Sequence, residues 1–126
     1  MAFKLKDIHS LIGIDKDLSE WGRPVFVKNL EGETKAEANR DGTTFIDPKV
    51  KGKEREEAKV HEDTHHDQMM QGRLDYDDNA VYWKESTRAP MKTFAREVME
   101  EGAKSEPWEA EAYKESDKLK KWKQHQ

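Results

Sequence analysis

The chain has no cysteine among its 126 residues. Neither a disulfide framework nor a thiolate zinc site can be built from it. Long apolar runs are missing as well. Val25-Phe26-Val27 is typical of what there is, far short of a membrane span. Met1-Ala2-Phe3-Lys4-Leu5-Lys6 lacks the apolar stretch of a secretory signal, so no signal peptide is expected. A strong charge of one sign is absent too: 23 basic residues nearly balance 27 acidic ones, for a net −4. That balance leaves no overall footprint for nucleic acid. Large aliphatic and Phe side chains are scarce, with Leu, Ile, Val and Phe numbering 6, 4, 6 and 4. Such a low share is compatible with disorder only when net charge is high, and here it is not. Four Trp, three Tyr and four Phe complete the aromatic set, more than a merely solvated chain carries. The composition implies a small folded domain with a thin core. Such domains lean on a metal, a partner or oligomerisation.

Periodicity gives an α+β reading. Phe3, Leu5, Ile8, Leu11 and Ile12 approach helical spacing and predict an N-terminal helix stopped by Gly13. Asp15 to Trp21 reads as a short helix or turn. Short strands are expected at Pro24–Val27, Lys35–Asn39 and Thr43–Ile46, the last two joined by the hairpin signal Asp41-Gly42. A long helix is expected from Glu54 to Met70, closed by Gly72, with Ala58, His61, His65 and Met69 facing inward. Ala80 to Lys84 reads as a strand and Thr93 to Glu101 as a helix carrying Phe94 and Val98. A last helix opens at Pro107 with Trp108, Ala112, Leu119 and Trp122 on one stripe. One domain over 1–126 accommodates this: an N-terminal part to 52, a chemistry-bearing half over 53–117 and a basic tail from 118.

The chemistry sits in His61-Glu62-Asp63-Thr64-His65, an HExxH motif. Residues i and i+4 lie one above the other on a helix, so two imidazoles converge on one cation. Glu62 lies beside the pair and can take a proton from water there. At this composition the motif is expected by chance roughly 2% of the time. Zinc is the metal the motif suggests, and a catalytic zinc needs a third protein ligand and an open position. His66 points about 100° away from His65, which makes it a poor ligand. His9 and His125 lie near the termini and read as surface residues. The better source is Glu106-Pro107-Trp108-Glu109-Ala110-Glu111-Ala112-Tyr113, where Glu109 borders the apolar stripe of the last helix.

HExxH followed by a helical Glu resembles the gluzincin group of zinc metallopeptidases. Gly72 to Asp78, Tyr82-Trp83-Lys84 and Pro107 to Tyr113 are similar to segments of small single-domain zincin-like proteins of tailed bacteriophages. The likeness covers roughly residues 54–117. It implies a zincin-like fold: a short mixed or antiparallel sheet packed on the HExxH helix and a later ligand-bearing helix. It implies His61 and His65 as ligands of Zn²⁺, Glu62 as general base, and Glu109 as third ligand with Glu111 as runner-up. Tyr113 stands where the peptidase pattern has Asp. Charged Lys59, Asp63 and Asp67 also depart from the pattern and imply a helix that is exposed or covered by something else. The implied location is host cytoplasm or virion.

Two functions of different class follow. One is a zinc-dependent peptidase or amide hydrolase acting on a peptide or protein, with Tyr82, Tyr113 or His66 stabilising the oxyanion and the Thr43–Ile46 strand as the sheet edge that aligns substrate. The other is a virion structural or interaction protein, bound to virion proteins or to its own copies, with a mainly structural zinc. Asp75, Asp77, Asp78 and Asn79 begin like a calcium loop, but Ala80 and Ser86 occupy its Gly and Glu positions, so a plain turn is the better reading. Lys118, Lys120, Lys121 and Lys123 suit a solvated helix end.

Overall fold

A computed structural model describes residues 3–6, 14–18, 23–100 and 103–124. The elements run β1 (Phe3–Lys6), β2 (Ile14–Asp17), β3 (Val25–Lys28), β4 (Ala36–Asn39), β5 (Thr44–Ile46), α1 (Gly52–Met70), β6 (Leu74–Tyr76), β7 (Ala80–Trp83), β8 (Lys92–Ala95) and α2 (Pro107–Gln124). The architecture is α+β. Strands β1 to β5 form a mixed sheet in the order β1-β4-β5-β3-β2, and β6-β7-β8 form a second, antiparallel sheet.

The hairpin between β4 and β5 forms where Asp41-Gly42 places it. Gly42 takes φ +92°, a value that side chains resist. Asp41 Oδ1 accepts hydrogen bonds from the Thr43 backbone N–H at 3.0 Å and the Thr43 hydroxyl at 2.6 Å. The resulting register sets Ala38 opposite Thr44 and Ala36 opposite Ile46, so these four share one face. That face receives α1. Ala36 and Ala38 are fully buried, and their small side chains let the helix approach. Val25, Ala36, Ile46, Val50 and Ala58 make one apolar cluster between sheet and helix. Phe26 and Phe45 lie on the other face, ring centroids 6.5 Å apart.

Helix α1 ends in a turn at Gly72, φ +75°, where the Arg73 N–H donates back to the Gln68 carbonyl at 2.9 Å. The chain then enters β6. Leu74, Tyr76, Val81 and Trp83 build a second cluster with Ala38 and Trp108. The Trp108 ring stands 6.3 Å from Trp83 and edge-on to Phe94 at 5.0 Å. It anchors the first turn of α2 between the second sheet and α1.

Four expectations are corrected. Residues 3–6 form a strand rather than a helix, because the Phe3/Leu5 alternation also suits a strand and β4 offers a parallel partner. Ile14–Asp17, within the expected short helix or turn, is likewise a strand, paired with β3; Leu18 follows it with its N–H donating to the Val25 carbonyl, and residues 7–12 and 19–21 lie outside the described residues. The helix expected at 93–101 is instead β8, since β7 presents an open edge; Phe94 packs on Trp108, while Val98 stays 81% exposed. Nor is the Thr43–Ile46 strand an edge: β5 lies between β4 and β3, so both of its sides are already paired. No described helix is long and apolar enough to cross a membrane.

Asp47 closes β5 and ties the sheet to its loops. Its Oδ2 accepts from the Leu30 N–H at 2.9 Å and its Oδ1 from the Lys49 N–H at 3.0 Å. Burial alone would raise its pKa, but the two N–H donors outweigh burial and hold it below the usual value. Asp47→Ala strands those donors and should cost roughly 1–3 kcal/mol in chemical denaturation. Because the folded pKa is depressed, the contribution is fully present above the ordinary carboxylate range and lost as pH falls through the folded value. The stability gap between wild type and Asp47→Asn should therefore narrow as pH drops below about 4. A gap that stays constant from neutral pH into strong acid contradicts this role.

Candidate metal centre

Helix α1 buries more than one stripe. His61, Glu62, Thr64, His65, His66 and Gln68 are all buried together with Ala58, because the sheet takes one side of the helix and α2 another. His61 and His65 stack one turn apart, ring centroids 4.9 Å from each other. Helix α2 crosses them with Glu109 in its first turn, set there by the burial of Trp108 beside it. His61 Nε2 lies 2.7 Å and His65 Nε2 3.0 Å from the same oxygen, Glu109 Oε1. One ligand atom from each residue falls within 4.8 Å of the others, and all three side chains have zero exposure. It is the one such group of His and carboxylate donors among the described residues.

The donor set fits a cation, on an argument that begins at Gln68. Its Nε2 sits 3.1 Å from the Trp108 carbonyl and 3.2 Å from Glu111 Oε1, both acceptors. That end of the amide is therefore the NH₂, and its carbonyl oxygen faces His65 Nδ1 at 2.9 Å. His65 Nδ1 must carry hydrogen to donate there. A neutral imidazole has one N–H, so its Nε2 then directs a lone pair at Glu109 Oε1. Two electron-rich atoms at that distance require a positive centre, either a second ring proton or a metal ion. Two imidazoles and a carboxylate are the donors zinc takes in open sites. Glu109 Oε2 is buried with no hydrogen-bond partner among the described residues, a further acceptor to be satisfied.

Electrostatics divide the group. Burial would raise the Glu109 carboxyl, but the neighbouring imidazoles outweigh it and hold it below the usual range. Burial also lowers His61, against the pull of Glu109, and favours the neutral ring that a metal needs. Glu62 behaves oppositely. Both of its oxygens are buried with no hydrogen-bond partner among the described residues. Burial first, then the charge of Glu109, pushes its pKa well above normal.

The remaining candidates separate. Glu111, the runner-up ligand, turns away: its oxygens meet Arg73 at 2.9 and 2.6 Å, and Arg73 holds its carboxyl below the usual range. His66 Nε2 meets the Thr44 hydroxyl at 2.9 Å, which pins α1 to β5. Burial lowers its pKa to about 4, so it remains neutral and structural. The Tyr82 hydroxyl donates to Asp77 Oδ2 at 2.7 Å, which removes it from oxyanion duty. Asp77 Oδ1 accepts from the Asn79 and Ala80 N–H groups, the plain turn expected there. Tyr113 alone of the oxyanion candidates touches the centre, its ring edge-on to His61 at 4.5 Å. Burial, then the charges of Glu109 and Glu62, raises its hydroxyl to about 12. Tyr113 also lines a pocket of about 430 Å³ with Lys35, Glu54, Glu57, Lys104 and Asp117.

Two of the charged departures on α1, Asp63 and Asp67, keep side chains 47% and 60% exposed and pair with Arg23. Arg23 reaches Asp67 Oδ1 at 2.6 Å, Asp63 Oδ1 at 3.5 Å and the Asp63 carbonyl at 3.0 Å. Sequence reasoning passed over Gln68 and Arg73. The spacing of His65 and Gln68, i and i+3, was the signal for the first. His9 and His125 lie outside the described residues.

No family model matches the chain, and no curated protein or solved structure matches it. The likeness to gluzincins thus rests on the quoted residues.

One zinc per chain is expected by calorimetry, with uptake abolished in a His61→Ala/His65→Ala double variant; equimolar zinc in that variant contradicts the site. Zinc at a hundred times its Kd should stabilise the fold by about 2.7 kcal/mol. The melting temperature should then fall in excess chelator, and an unchanged curve would show that the metal bears no structural share.

Proposed function

We propose that this chain is a metal-dependent hydrolase of amide or peptide bonds, a minimal zincin-like protein in keeping with its resemblance to phage-encoded gluzincins. The observation that carries the reading is Glu62. Its carboxyl group is fully buried beside the His61–His65–Glu109 group, and neither oxygen has a partner among the described residues. Leaving such a group unsatisfied costs roughly 1–3 kcal/mol or more. A purely structural centre gains nothing from it, whereas a hydrolytic one needs a proton carrier at that place. The order of sheet, HExxH helix and ligand-bearing helix also supports a zincin-like build.

His61, His65 and Glu109 would hold the ion, with zinc preferred for two imidazoles and one carboxylate. When bound, zinc supplies Lewis acidity that polarises a carbonyl and makes nearby water more acidic. Glu62 takes the proton from the attacking water at a carboxylate oxygen and delivers it to the leaving nitrogen. Its raised pKa makes it a stronger base than an exposed carboxylate, which supports its taking up the water's proton. Tyr113 keeps its proton far above neutral pH and serves as hydrogen-bond donor to the carbonyl oxygen as charge develops there. Tyr113 lines the 430 Å³ pocket and touches His61, which supports that pocket as the approach for substrate.

The zero exposure of all three ligands favours a second reading, a structural or interaction protein stapled by its metal, such as a virion component. Glu62→Gln separates the two. In a hydrolase, zinc content and folding persist while cleavage of a peptide library falls by ~10²–10⁴-fold. Wild-type protein that binds zinc and cleaves no member of the library supports the structural reading instead.

A further inference from the structure

We infer that Gln68 positions His65 for the metal, and that Glu111 on α2, braced by Arg73 at the start of the second sheet, holds Gln68 in place. The inference rests on the metal-centre reading above and adds a residue set to it.

The chain of contacts is continuous. Gln68 is fully buried on α1, one turn beyond His65. Its carbonyl oxygen accepts from His65 Nδ1 at 2.9 Å, which leaves Nε2 as the nitrogen that faces Glu109. Its NH₂ is divided between the Trp108 carbonyl at 3.1 Å and Glu111 Oε1 at 3.2 Å. Both acceptors belong to α2, the helix that carries Glu109. One amide therefore fixes the tautomer of one ligand and the distance to the helix bearing another. A ligand imidazole whose second nitrogen is held in this way has its ring orientation set before metal arrives.

Gln68 can flip end for end unless its NH₂ side is held by firm acceptors. Arg73 provides that firmness through Glu111. The guanidinium forks onto the carboxylate, Nη1 to Oε1 at 2.9 Å and Nη2 to Oε2 at 2.6 Å. Its other donors reach the Lys84 carbonyl, the Glu85 carbonyl and Gln71 Oε1 at 3.3, 3.1 and 3.1 Å. Every one of its five N–H groups is used. The plane lies over Trp83, 4.7 Å from the ring centroid. Arg73 follows directly on the Gly72 turn and is braced on the strand that Trp83 ends. The metal centre is thus tied to β6 and β7, although neither strand supplies a ligand.

The test compares wild type with Gln68→Met, Gln68→Glu and Arg73→Lys. Zinc affinity is read by competition with a chromophoric chelator, the His65 tautomer by ¹⁵N NMR and folding by circular dichroism. Gln68→Met keeps the volume and removes the acceptor. It should lose about 10–100-fold in zinc affinity and spread His65 over both tautomers. Gln68→Glu restores an acceptor to Nδ1–H and should recover the Nδ1–H tautomer. Arg73→Lys keeps the charge, loses the fork, and should weaken zinc several-fold. Wild-type affinity within twofold and an unchanged tautomer in Gln68→Met would overturn the inference. Should Gln68→Met not fold, Arg73→Lys carries the same decision. Wild-type protein that takes up no zinc would overturn the metal reading instead, while the tautomer measurement still decides the role of Gln68.

Discussion

Glu109 is a carboxylate with zero exposure, held against two imidazoles that are equally buried. An ionised acid in such a place costs several kcal/mol unless positive charge meets it. The rest of the molecule is arranged around that requirement. Helix α1 must present His61 and His65 to one point, and helix α2 must bring its first turn to the same point. Neither helix could hold that position alone. The small side chains of β4 let α1 sit close to the first sheet, while Trp108 seats α2 against the second. A thin core is enough because a few contacts fix the crossing of two helices.

The polar interior follows the same logic. Buried His66 is satisfied by Thr44, and buried Gln68 by His65, Trp108 and Glu111. Glu62 breaks the pattern. Both of its oxygens are unmet among the described residues, and it is the group whose chemistry the proposed reaction needs. Local conflict of this kind collects at functional sites. The charged residues that depart from the peptidase pattern are local matters by comparison: Asp63 and Asp67 answer to Arg23, outside the centre.

Legibility in the sequence tracked the range of the interaction. The HExxH helix, expected over 54–70, runs from Gly52 to Met70, and its turn at Gly72 lies where expected. The Asp41-Gly42 hairpin and the Pro107 helix start also read correctly, because caps and turns are decided by neighbours along the chain. Short apolar segments did not. Phe3–Lys6 and Lys92–Ala95 carry patterns that suit either period, and the availability of a partner strand chose between them. Whether β5 lies at the centre or edge of its sheet depends on its pairing with β3, which no local pattern encodes.

By itself the sequence determined the donors: a helical His pair at i and i+4, an acid between them, and carboxylates on a later helix. Helical geometry alone brings the two histidines together, so no fold was needed to see them. The tertiary structure decided which carboxylate meets them. Glu109 and Glu111 are two residues apart on α2 and therefore point in different directions. The burial of Trp108 turns Glu109 inward, and Arg73 captures Glu111. The same packing set Tyr113 against His61, tied Tyr82 to Asp77 and gave His65 its partner in Gln68. These are contacts between segments far apart in sequence, and their geometry exists only once two helices and two sheets have packed.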